Sequence, residues 1–205
     1  MTEEKNTDSN EMEVPKPVQS ALQLDRLVRS YTLHQAISIE WVIDNIIATH
    51  FCHKKEEYPL FFSLIFREGE ITFSAKIKIL KKLLKLKYPD INKQFPKLIK
   101  RLDVFRDVRN KFAHSGIVLP TEALPDQVIN GITLKYYKDG VETREEITRE
   151  KAEHYNQEGW ELSQELIVIL ALVTQEISGN APEESEQTVE IETAQQVILP
   201  DDSTA

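Results

Sequence analysis

From Pro17 to Cys52 the apolar side chains Leu24, Val28, Tyr31, Ile39, Val42, Ile43, Ile46 and Ile47 return mainly at steps of three and four residues. A helix turns once in about 3.6 residues, so this spacing gathers them along one side of a single long helix, straight or bent. Such a helix cannot bury its apolar side alone. The rest of the chain must supply elements that cover it.

Most of those elements also read as helices. In KKEEYPLFFSLIFREGEI, Pro59 and Gly69 punctuate an apolar run, which predicts a short helix between loops. TFSAKIKILKKLLKLK opens with Thr72 and Ser74, either able to cap, and Ile77, Leu80 and Leu84 form its apolar stripe. That helix should stop near Tyr88, ahead of Pro89. A further helix is expected from about Asn92 or Pro96 to His114, closed by Ser115 and Gly116, because Gly accepts the left-handed conformation of many helix ends. GITLKYYKDGVETREEIT alternates Ile132, Leu134 and Tyr136 before a Lys138-Asp139-Gly140 turn, which predicts a β-hairpin over about residues 132–147. The last helix runs from about Arg149 to Ile177, and its LIVILALV segment, apolar nearly all round, is expected to be buried. With 205 residues and 40% hydrophobic content, one domain over residues 17–178 is the economical reading: an all-α helical bundle with a small β-hairpin insertion.

The ends of the chain have a different character. Residues 1–16 are polar, and residues 179–205 hold seven acids and no base. Neither stretch has the apolar content to offset ordering entropy, so both are expected to be disordered acidic tails. Of the formal net charge of −9, the two tails carry −3 and −7, which leaves +1 for residues 17–178. Within that body, residues 76–111 hold thirteen Lys or Arg against Asp90, Asp103 and Asp107, a local excess of ten. This basic stretch fits a phosphate-bearing partner; it equally fits lysines that only solvate helix surfaces.

Other chemistries find less support. Cys52 is the only cysteine, which excludes an intrachain disulfide and a multi-cysteine zinc site. HFCH offers His50, Cys52 and His53, but on a helix His50 and Cys52 diverge and a fourth ligand is missing, so neither metal nor cofactor is expected. No Gly-rich phosphate loop occurs, which excludes nucleotide hydrolysis of the P-loop type. Trp41 and Trp160 sit among helical apolar residues and read as core or interface. The N-terminus has no apolar signal core, and LIVILALV is too short to span a bilayer, so a cytoplasmic protein without a membrane partner is expected.

The end of the fourth predicted helix, RDVRNKFAHSG (residues 106–116), concentrates reactive side chains. At about 100° per residue, Leu98, Leu102, Phe105, Val108 and Phe112 fall on one side, and Asp103, Asp107, Asn110 and His114 on the other. Arg109 lies about 140° from His114, near the edge of the apolar side. It reaches the surroundings of His114 only by a long excursion or a distorted last turn; otherwise it meets a carboxylate of another helix, with Glu40 and Asp44 the nearest by pattern. Two readings stay open. In one, Arg109 makes a part-buried ion pair, Asn110 is merely exposed, and His114 stabilises a helix C-terminus through the dipole. In the other, a guanidinium holds a phosphodiester, an imidazole moves a proton, and an amide orients both. RNA cleavage by its own 2′-OH needs those three groups and no metal.

RNKFAH resembles the Arg-x4-His motif, with Asn after the Arg, of the HEPN superfamily of all-helical nucleotide- and RNA-binding domains, and the similarity extends over about residues 20–178. The resemblance implies a metal-independent endoribonuclease of a prokaryotic stress, toxin–antitoxin or defence system, with Arg109 and His114 as catalytic pair and Asn110 supporting them. It also implies a homodimer that brings two motifs to one cleft, RNA on the basic helices 76–111, and an antitoxin or regulatory protein partner. Gly116 stands where a Tyr often occurs in toxins of this type, which argues against regulation by tyrosine modification. ITFSAKIKIL followed by VRNKFAHS also resembles the helical mannitol-operon-regulator-like proteins, which implies a non-catalytic regulator in which the motif is a fold signature.

Overall fold

The computed structural model describes residues 15–52, 54, 56–66, 71–119, 130–138 and 140–179. Apart from Pro15, Lys16 and Gly179, the two predicted tails lie outside the described residues, as does His53. Six α-helices and three strands follow in the order α1 (Lys16–Phe51), α2 (Glu57–Phe61), α3 (Phe73–Lys87), α4 (Pro89–Gln94), α5 (Leu98–His114), β1 (Gly116–Val118), β2 (Gly131–Lys138), β3 (Val141–Thr148) and α6 (Arg149–Gly179). A π-helical turn, Phe62–Phe66, continues α2. The chain is thus a mainly helical bundle with a small antiparallel sheet in the order β1-β2-β3.

The long helix foreseen from the apolar spacing is α1, and its Ile39, Val42, Ile43, Ile46 and Ile47 are buried. Tyr31 is not; it stands about half exposed. Two apolar clusters run along this helix. One joins Ile39–Ile47 to Ile77, Leu80 and Leu84 of α3, Leu98 and Leu102 of α5, and Leu162, Leu166, Ile169 and Val173 of α6. The other joins Ala21, Leu24 and Val28 to Val108 and Phe112 of α5 and to Ile132, Leu134 and Ile147 of the sheet, with Tyr155 of α6 packed against it. The early parts of α1 and α6 share one cluster and their late parts the other, so these two helices run parallel, with α5 antiparallel to both. Gly159 marks the closest approach: a Cβ there would meet Phe105 at 2.8 Å and the Cβ of Gln35 at 2.9 Å. Arg101 fastens α5 to α6, donating to Glu158 at 2.6 Å, to Glu161 at 3.2 Å and to Glu165.

Local sequence sets most boundaries. Thr72 caps α3 by accepting from the Ala75 amide at 3.3 Å, so of the two candidate caps it is Thr72 that acts. Pro89 sits in the first turn of α4, where its missing N–H costs nothing. Of the two starts offered for the helix that ends at His114, the later one is close: α5 begins at Leu98, while Asn92 belongs to a separate short helix, α4, parted from α5 by a turn through Pro96. At the far end of α5, Ser115 is extended (φ −88°, ψ 149°) rather than followed by a left-handed Gly116, because the chain goes directly into β1, a third strand the sequence did not announce. Among the described glycines Gly140 is the one with positive φ (79°), in the hairpin turn, and the hairpin pairs Ile132 with Ile147 and Lys138 with Val141.

The apolar C-terminal helix departs from expectation. Leu162, Leu166, Ile169 and Val173 are buried, whereas Ile167, Val168 and Trp160 are about half exposed, because α6 lies on the outside of the bundle and only one side meets α1 and α5. By length and composition α6 would suffice to cross a bilayer, and the LIVILALV run is only part of it. Trp41 is 61% exposed, so neither tryptophan is core.

Candidate functional site

The last two turns of α5 carry the motif. Their apolar side is locked: Leu102, Phe105, Val108 and Phe112 are all buried, which fixes the rotation of the helix and turns the opposite side outward. Asp107, Asn110 and His114 are accordingly exposed. Arg109 is partly buried and donates through Nη1 to Asn110 Oδ1 at 3.1 Å.

Neither carboxylate foreseen for Arg109 is its partner. Lys76 of α3, almost fully buried, takes both: its ammonium lies 2.7 Å from Asp44 Oδ2 and 3.4 Å from Glu40 Oε2. Burial pushes the pKa of Asp44 up, against the opposing pull of the Lys76 hydrogen bond. His114 stands in the last turn of α5, and a cation reaches the same helix end from α1. The Phe112 carbonyl accepts from Arg29 of α1, whose guanidinium also lies 3.4 Å from Ser115 Oγ and is held by Asp25 at 2.8 and 2.9 Å.

Two clefts flank α5 and divide the motif between them. One, of about 660 Å³, lies between α1, α3 and α5; its lining includes Glu40, Phe66, Lys76, Arg106, Arg109 and Asn110. The other, of about 650 Å³, lies between α5 and the hairpin and is lined by Asp107, Asn110, Lys111, His114, Tyr136, Tyr137 and Lys138. Asn110 borders both. Arg109 and His114 therefore open to different clefts, as their angular separation on the helix requires.

In the second cleft, Glu145 of β3 is the point where hairpin and helices join. Its carboxylate accepts from Lys111 of α5 (2.6 Å), from Tyr136 of β2 (3.0 Å) and from Lys151 of α6, so one side chain ties the hairpin to two helices. Burial alone would raise its pKa, but the hydrogen bonds from Lys111, Lys151 and Tyr136 outweigh that and hold it at about 2. In the first cleft Arg106 is engaged by Asp103 at 2.7 Å and Asp107 at 2.8 Å.

Sequence reasoning passed over Arg29, Lys76 and Lys138, although each left a trace. Lys76 is four residues ahead of Leu80, in phase with a buried stripe, which calls for a buried counter-charge. Asp25 and Arg29 have the spacing of a helical ion pair. Lys138 prolongs the alternation Ile132, Leu134, Tyr136. Of the HFCH residues, His50 Nδ1 lies 2.8 Å from Tyr88 Oη and Cys52 is buried, and among the described residues no three His, Cys, Asp or Glu side chains gather as metal ligands. No protein-family model, curated protein or solved structure matches the chain.

Proposed function

We propose that this chain is a HEPN-like RNA-binding protein and a metal-independent endoribonuclease. The observation that carries the reading is the display of Arg109, Asn110 and His114 at the outer end of α5, each bordering one or both of the clefts that flank it. The lysines and arginines of α3–α5 supply the attraction for phosphate. In the reaction the RNA 2′-OH attacks the adjacent phosphorus as its proton leaves, the bond to the 5′-oxygen breaks, and a proton is delivered to that oxygen. His114 handles the proton, Arg109 balances charge on the phosphoryl oxygens, and the products are a 2′,3′-cyclic phosphate and a 5′-hydroxyl. Two copies that bring their α5 ends to one groove would set one copy's Arg109 beside the other's His114.

The test is cleavage of RNA in chelator. The wild type should leave 2′,3′-cyclic ends, and His114→Ala should abolish cleavage with helical content and association unchanged. Arg109→Ala should do the same, with some loss of stability because Arg109 is partly buried. Full-rate cleavage by His114→Ala would end the enzyme reading. A second reading, a non-catalytic helical regulator, is favoured by one observation: within a single copy Arg109 and His114 open to different clefts. Salt-dependent RNA binding without cleavage across varied substrates would select it.

A further inference from the structure

We propose that the cleft between α5 and the β2–β3 hairpin is a phosphate subsite for single-stranded RNA, and that Lys138 is the cation that holds the phosphate beside His114. This rests on the RNA reading above, and it assigns the hairpin a function.

The argument begins with what the cleft lacks. Arg109 borders the other cleft, so a phosphate next to His114 needs a different positive group within the same copy. The cleft offers two, Lys111 and Lys138. Lys111 is spoken for: its ammonium lies 2.6 Å from Glu145, a carboxylate ionised at any neutral pH, and 5.5 Å from the centre of the Tyr136 ring. Lys138 is exposed and has no ion pair with any described carboxylate. The acid of the cleft, Asp107, is bound to Arg106 at 2.8 Å, so its charge is already countered.

Strand geometry aims Lys138 correctly. Successive side chains of a strand alternate between faces, so Ile132, Leu134, Tyr136 and Lys138 share one. Ile132 and Leu134 are buried in the core cluster that holds Phe112 of α5, and Tyr136 packs against that cluster. Lys138 is next in the row and the first beyond the apolar edge, on the side toward α5. Its register partner Val141 and the Gly140 turn close the hairpin directly after it. Glu145, fastened to Lys111, Tyr136 and Lys151, keeps the hairpin from swinging away. The cleft thereby gathers from one chain a cation unpaired among the described residues, an imidazole and the Asn110 amide. These are the same three groups that the motif supplies only when two copies meet.

The test uses the full chain and a 2′-O-methyl oligoribonucleotide, which binds but cannot be cleaved. Fluorescence anisotropy over a range of salt should show Lys138→Met weakening binding about 3–10-fold and flattening the slope of log K against log salt by about 0.7, the loss of one phosphate contact on a single strand. Lys138→Arg should restore both. In parallel, NMR of the His114 imidazole during titration with inorganic phosphate should show a saturable shift in the wild type and in Arg109→Met, and none in Lys138→Met. Binding and imidazole response that survive in Lys138→Met but fail in Arg109→Met would overturn the assignment. Wild type that ignores the oligonucleotide yet gives a Lys138-dependent phosphate response would sink the RNA reading and leave the subsite standing. A wild type whose His114 does not respond to phosphate, with Lys138→Met binding RNA normally, would remove the subsite and spare the RNA reading.

Discussion

At the scale of single residues, two cations tie α1 to its neighbours, Arg29 to α5 and Lys76 to α3. Arg29 reaches across from α1 to the last turn of α5, where carbonyls have no helical partner, and Asp25 steadies it from four residues away. Arg29→Ala should cost about 1.5–3 kcal/mol, the range for hydrogen bonds to charged groups, and speed amide exchange around residues 110–118. Denaturant unfolding measures the first and exchange the second; an unchanged midpoint would show that water replaces the guanidinium freely. Lys76 is a harsher case, since it is buried between two carboxylates. Lys76→Ala should cost about 3–5 kcal/mol by leaving Asp44 uncompensated. Asp44 already has a pKa raised by burial, so in the variant it binds a proton more readily when folded than when unfolded. Stability of that variant should therefore fall as pH rises through the ordinary carboxylate range, and equal stability at pH 4 and pH 7 would contradict this.

At the scale of elements, two joints decide where the motif sits. The first is the crossing at Gly159, where α6 approaches α1 and α5 too closely for a side chain. Gly159→Val should force Phe105 or Gln35 aside and destabilise by about 1–3 kcal/mol, readable as a lower thermal midpoint. The second is the hairpin joint at Glu145. Its folded pKa of about 2 lies below the ordinary 4.5, so its stabilisation is complete above about pH 4.5 and is lost as pH falls toward 2. Protection of the β2 and β3 amides, taken against their intrinsic exchange rates at each pH, should therefore fall on acidification before that of α1, and Glu145→Gln should remove this difference. A uniform loss of protection in all elements would show that the hairpin has no joint of its own.

At the scale of the whole molecule, one copy leaves Ile37 and Trp41 of α1 and Trp160, Ile167 and Val168 of α6 exposed, apolar surface that the bundle does not use internally. The two-copy arrangement proposed for cleavage predicts a dimer in sedimentation at micromolar concentration. A strict monomer would remove the pairing of Arg109 with a second copy's His114. It would leave the Lys138 subsite untouched, because every group in that cleft comes from one chain. Sedimentation and oligonucleotide binding together thus separate the catalytic proposal from the binding one.

The existence of the main helices and the apolar stripes of α1, α3 and α5 were legible in the sequence. The spacing in α1, the stripe of α3 and the apolar side of α5 all follow from a 3.6-residue period, which acts within one element and needs no neighbour. The sequence determined the hairpin too, through alternation and a turn that needs a positive φ. It also fixed the angle between Arg109 and His114, which is why those two do not meet in one copy. What only the tertiary structure decided is which partner each charge finds. Lys76 rather than Arg109 meets Asp44, and Arg29 of α1 reaches the Phe112 carbonyl of α5, pairings that join residues 32 and 83 positions apart. The same holds for β1, whose three residues become a strand only against β2. The exposure of half of α6 likewise depends on how many helices pack around it. Local periodicity says which side of a helix is apolar; only the assembled bundle says whether anything is there to cover it.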